Sequence, residues 1–167
     1  PLPYDLVERA RFAVASCSNL SFGYFNAYAD IARQDNLDAV LHLGDYIYEY
    51  ANGEYGDGSA SGREQGETET LTLKDYRERY ALYRRDSDLQ AAHQRHPFIV
   101  VWDDHESADN SWMDGAGNHN EGEGEWSDRE QAARKAYFEW MPIRENVEES
   151  SLIYRRFQFG QLLDLMM

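Results

Sequence analysis

The chain has 167 residues, enough for one domain with a buried core and no covalent staples. Its net charge of −15 works against non-specific attachment to nucleic acid, an affinity that comes from Lys and Arg neutralising phosphates, although cations held in an acidic site can reverse the local sign and admit an anionic substrate. A single cysteine, Cys17, excludes an internal disulfide framework, and no apolar run of about 18 residues is present to span a membrane.

At the amino end, Pro1-Leu2-Pro3-Tyr4-Asp5 lacks the basic flank and apolar stretch of a signal segment, and the missing initial Met is consistent with processing or trimming. Arg11 to Ser16 reads as a first strand with Cys17 at its end. After a turn at Ser18-Asn19, residues 22–34 carry Phe22, Phe25, Ala29 and Ala32 at helical spacing. Asp38 to Leu43 is short, apolar and β-prone, as in a strand buried on both faces. Strand, helix and strand in this length predict a parallel, right-handed βαβ unit. Gly44 breaks the second strand and places Asp45 at its carboxyl end, with Tyr48 able to turn back toward the same point.

Residues 52–70 are rich in Gly, Ser and Glu without apolar period, and are expected to form a mobile loop close to the site. Thr72 caps a predicted helix from Leu73 to about Arg85, with Tyr76, Tyr80 and Tyr83 on one side. Asp88 opens a shorter helix ending before Pro97. Phe98 to Trp102 is a third buried-type strand, followed at once by Asp103-Asp104-His105-Glu106. Residues 107–126 form a second long loop. Ser127 and Glu130 have the spacing of a capping box, predicting a helix from Asp128 to about Trp140 before Met141-Pro142. Ser151 to Phe159 and Gln161 to Met167, separated by Gly160, predict an antiparallel hairpin. The chain stops within that last apolar run, so further sequence is expected to follow.

Three strands thus end in metal-competent or proton-transfer groups: Cys17, then Asp45 with Tyr48, then Asp103, Asp104 and His105. Parallel strands bring all three ends to one rim. Taken singly each has a plainer explanation. Cys17 reads as a small buried hydrophobe, Asp45 as a turn residue, and Tyr46 and Tyr50 as core fillers. Asp103 and Asp104 favour function, because adjacent carboxylates directly after a buried strand repel unless a cation or donor intervenes. His42 reads as a hydrogen-bonded core histidine, His93 and His96 as surface residues, and His119 as a loop residue. Glu121, Glu123 and Glu125 lack the spacing of a calcium loop and read as a solvated acidic run.

With Ala15-Ser16-Cys17, His42-Leu43-Gly44-Asp45-Tyr46-Ile47-Tyr48-Glu49-Tyr50 and Trp102-Asp103-Asp104-His105-Glu106 followed by Asn110-Ser111-Trp112, the chain resembles the PhoD-type alkaline phosphatases within the wider metallophosphatases. Trp140-Met141-Pro142-Ile143-Arg144 and Phe159-Gly160-Gln161-Leu162-Leu163-Asp164-Leu165 extend the match over nearly the whole chain. The resemblance implies an α/β fold, a metallophosphatase-like β-sandwich flanked by helices, of which residues 1–167 form the N-terminal portion of one catalytic domain. It implies a phosphatase and phosphodiesterase acting on phosphate esters through metal-activated water, with iron(III) and calcium as cofactors. Cys17, Asp45 and Tyr48 would ligate the iron, with Asp45 bridging, and Asn110 would belong to a calcium. Asp103 and Asp104 occupy a motif equivalent to the Asn-His pair of related enzymes, either facing the metal, and His105 would stand near the leaving group. Members of this family complete the site with Asp and His from a later half and are commonly secreted. Two rivals follow: a non-catalytic cation-binding or scaffold domain that keeps the rim, and a thiol enzyme using Cys17 and His105. The thiol enzyme is the poorer, since nothing basic near Cys17 in sequence lowers its pKa.

Overall fold

The structure, a computed structural model, describes residues 6–144, 146 and 152–167. Three parallel strands, β1 (Phe12–Ala15), β2 (Ala39–His42) and β3 (Phe98–Val100), form a sheet in that spatial order. Ala15 pairs with His42 and His42 with Val100, so the three carboxyl ends are level at one rim. β2 is buried along its whole length, the environment its uninterrupted apolar run demands.

The two faces of the sheet pack differently, as alternation of side chains requires. Val40 and Val100 face four helices, α1 (Asn26–Arg33), α2 (Leu73–Tyr83), α3 (Ser87–Arg95) and α4 (Trp126–Trp140), across a core that includes Tyr76, Tyr80, Tyr83 and Tyr137. Ala39, Leu41 and Ile99 face the other way, onto Phe157, Phe159, Leu163 and Leu165 of an antiparallel hairpin, β4 (Arg156–Phe159) and β5 (Leu163–Met166). The rings of Phe12 and Phe159 meet edge-on at 5.1 Å across this second core. A small sheet-on-sheet sandwich with helices outside it is the result, and the expected hairpin is present from Arg156 onward; Ser151 lies outside the described residues.

Several local expectations are corrected. The first helix begins at Asn26, because Leu20–Phe22 form a 3₁₀ turn capped by Asn19, whose Oδ1 accepts from the Ser21 amide; Phe22 is 66% exposed and outside the core. Asp86, not Asp88, caps α3, its Oδ1 accepting from the amides of Asp88 and Leu89 at 2.9 Å. Ser127 caps nothing: α4 starts at Trp126, two residues before the expected Asp128, with the Trp126 ring packed against His119, so tertiary packing outweighs the capping spacing. Nor are His93 and His96 surface residues. His93 stacks on Phe98 at 3.7 Å between ring centroids, and buried His96 contacts the Ile31 carbonyl through Nε2 at 2.9 Å. Internal partners for the ring nitrogens make this burial tolerable. No helix among the described residues is long and apolar enough to cross a membrane.

Candidate metal centre

Beyond the strands the rim keeps its pairing. The amides of Cys17 and Ser18 donate to the carbonyls of Gly44 and Asp45, at 3.2 and 2.8 Å. Gly44, at φ +107°, lets the chain turn where a Cβ would meet the Asp103 backbone at 2.5 Å. Among the described residues, the non-glycine positions with positive φ are Cys17, Asp45 and Asn110, all at this rim. Backbone strain of this kind persists only where the surroundings over-determine it.

Asp45, Asp104 and His105 each offer one ligand atom, and these atoms lie within 4.8 Å of one another. Asp45 is buried; its Oδ2 accepts from the Tyr48 hydroxyl at 3.1 Å, while its Oδ1 is buried without a hydrogen-bond partner among the described residues. Burial raises the Asp45 carboxyl, against the His105 charge and the hydrogen bonds from Tyr48 and Cys17. Burial and the neighbouring Asp45 charge push the Tyr48 phenol well above its ordinary value. An orphaned carboxylate oxygen beside a second carboxylate is costly unless a cation supplies the missing partner. Two carboxylates and an imidazole form the cluster, Cys17 lies outside it but its thiol, like the Tyr48 phenol, hydrogen-bonds to Asp45, and together these are a donor set that fits a highly charged ion.

Of the paired acids, Asp104 joins this group and Asp103 does not: Asp103 is exposed, and its Oδ1 accepts from the Asp104 amide at 3.1 Å. Asn110 stands next to Asp104, whose Oδ2 accepts the Asn110 amide. Cys17 is exposed, contrary to its plain reading as a buried hydrophobe, because the positive φ that turns the chain after β1 carries it out onto the rim. His42 is fully buried and contacts the Tyr28 hydroxyl at 2.9 Å, as a core histidine does. Tyr46 is core. Tyr50 is half-buried and packs with Tyr55 against His105, and Tyr55 also stacks on Tyr48 at 5.7 Å, so the loop over residues 52–70 does reach the rim. His119 and Glu123 are engaged at the start of α4: Glu123 pairs with buried Arg129, 3.2 Å away, rather than being simply solvated.

Two buried carboxylates brace the rim, and sequence reasoning assigned neither a role. Glu49, fully buried, faces His105 Nδ1 at 2.8 Å and accepts from the Asp109 amide and the Asn118 side chain. Burial draws the His105 pKa down, but the Glu49 carboxylate prevails and, with Asp45 and Asp104, raises it to about 9. Glu106 accepts the amides of Asp45, Tyr46 and Asp103. Burial lifts its carboxyl to about 8, against these three hydrogen bonds. The available signal was the oddity of one acid inside an aromatic buried run and another directly after the rim.

Residues 12–167 match the family model described as PhoD-like phosphatase. The chain is 40% identical over 166 residues to alkaline phosphatase D of Bacillus subtilis (strain 168), covering 97% of this chain and 28% of that protein. A solved structure, described as the structure of PhoD, superposes with a TM-score of 0.86 at 39% identity over 99% of this chain and 32% of that one. The chain thus spans about a third or less of the length of the relatives it matches, while the match itself runs from the first strand to the last residue. A metallophosphatase-like α/β fold, with a rim of ligand-competent side chains at its strand ends, places this chain in the PhoD-like phosphatase family.

Proposed function

We propose that this chain contributes the amino-terminal part of the active site of a metal-dependent hydrolase of phosphate esters, both mono- and diesters. The observation carrying this reading is the convergence of Asp45, Asp104 and His105, together with a buried Asp45 oxygen that has no partner among the described residues. Cys17, Asp45 and Tyr48 would hold iron(III), with Asp45 shared toward calcium; Asp104 and Asn110 suit the calcium side, and Asp103 lies further out. Such ions, when bound, supply Lewis-acid polarisation of a phosphoryl oxygen and hydroxide at neutral pH. Within the chain, Glu49 holds the His105 ring by Nδ1, and Nε2, 3.7 Å from Asp109 Oδ1, would serve to donate a proton to a phosphoryl or leaving oxygen rather than to ligate the ion. The gathered positive charge draws an anionic ester into an otherwise acidic protein.

Elemental analysis of the purified protein, paired with hydrolysis of an aryl phosphate before and after chelation, tests this. Asp45→Asn is expected to lower metal content and to cut turnover by roughly 100-fold or more. Turnover that survives both chelation and Asp45→Asn overturns the proposal. Stoichiometric cation binding with no turnover in the full-length protein favours the rival cation-binding domain.

A further inference from the structure

We propose that Glu106 is a positioning residue: one buried carboxylate that ties the turn after β2 to the turn after β3 and so sets the distance between Asp45 and the Asp104–His105 pair. This rests on the metal-site reading above and adds a residue to it. Glu106 is 3% exposed, and among the described residues no cation pairs with it. Its Oε2 accepts the Asp45 amide at 3.0 Å and the Asp103 amide at 2.7 Å, while Oε1 accepts the Tyr46 amide at 2.5 Å.

These three donors have no strand to pair with. Gly44 and Asp45 both have positive φ, which takes the chain out of the sheet just where the amides of Asp45 and Tyr46 follow, and Asp103 lies past the end of β3. A buried amide left without an acceptor costs about 1–3 kcal/mol, so the turns cannot hold this shape alone. A carboxyl group, with two oxygens and several lone pairs on one side chain, can take three converging amide donors, which a single carbonyl or hydroxyl oxygen cannot. Glutamine keeps the shape but must aim its NH₂ at one of the amides. Because Glu106 follows His105 directly, within a turn closed by the Ser107 amide on the Asp104 carbonyl at 2.8 Å, the clamp passes straight to both side chains facing Asp45.

The test combines amide hydrogen exchange with calorimetric titration by Mn²⁺, on the protein after chelation. In the unsubstituted protein the amides of Asp45, Tyr46 and Asp103 are expected to be protected at least 100-fold over an unstructured peptide with no metal present. Glu106→Gln is expected to speed exchange at these three amides at least tenfold, with the other strand amides unchanged, and to weaken Mn²⁺ binding at least tenfold. A merely stabilising role would instead speed exchange across the whole sheet. The proposal is overturned if the three amides exchange freely in the unsubstituted chelated protein, or if Glu106→Gln keeps both their protection and the Mn²⁺ affinity. Should the unsubstituted protein take up no Mn²⁺, the metal-site reading fails, while amide protection still decides the clamp.

Discussion

His42 ends the central strand of the three-stranded sheet, fully buried, with Tyr28 as its hydrogen-bonding neighbour. Burial lowers its pKa from the usual 6.5 to about 4, and burial lowers that of His93 to about 3. A folded-state pKa below the unfolded one means that the unfolded chain binds the proton first. The stability this ring allows is therefore complete above about pH 6.5 and is lost as pH falls toward 4, by up to roughly 3 kcal/mol for His42. Urea unfolding of the wild type between pH 7 and 4.5 is expected to show that loss, and His42→Gln, less stable at pH 7, a shallower one; equal slopes would show that other groups carry the acid sensitivity. At this scale the sequence was informative where a side chain's position follows from its place after a strand end, as with Asp45, Tyr48 and Asp104, which the structure gathers at the rim. It was silent on Glu49 and Glu106, because their partners are backbone amides and an imidazole that converge only once two turns have formed.

Helix boundaries show which local signals survive packing. Thr72 was legible as a cap, and the structure adds the reciprocal half: Asp75 accepts from the Thr72 amide at 2.8 Å while Thr72 Oγ1 accepts from the Asp75 amide. Ser127 and Glu130 have the same spacing, yet Ser127 lies inside α4 with no capping bond. The difference lies in what precedes each. Trp126 has its own packing partner and extends its helix backwards, whereas Leu71, in irregular chain before Thr72, gives α2 no such extension. Thr72→Ala is accordingly expected to cost about 1 kcal/mol, and Ser127→Ala less than about 0.5 kcal/mol, by thermal or chemical unfolding. Equal losses would mean that α4 frays to the capping-box start in solution. The parallel strand order was legible in the same way, since β-prone runs alternating with a helix leave few topologies. The pairing of that sheet with the β4–β5 hairpin was not, because Phe12 and Phe159 are far apart in the chain and no local pattern joins them.

For the molecule as a whole, a net charge of −15 on 167 residues means that folding gathers like charges, and at the rim it brings Asp45 and Asp104 together. Two effects of added electrolyte separate cleanly. Sodium chloride screens exposed charges everywhere: the Debye length falls from about 30 Å at 0.01 M to about 8 Å at 0.15 M, so the melting temperature is expected to rise by a few degrees over that range. Calcium at matched ionic strength screens no better in general, but a cation that binds only the folded rim adds stability by mass action, roughly 2.7 kcal/mol at a free concentration 100 times its dissociation constant. The calcium series is thus expected to lie above the sodium series, and the gap to vanish in Asp104→Asn while the sodium slope stays. Asp104 is the right residue for this test because its Oδ2 already accepts the Asn110 amide, so the asparagine variant alters a site with a native hydrogen-bond partner rather than an empty one. Coincident calcium and sodium series would mean that the rim's acids are merely solvated, and the excess negative charge of the chain would then need a different explanation from the cations it was inferred to hold.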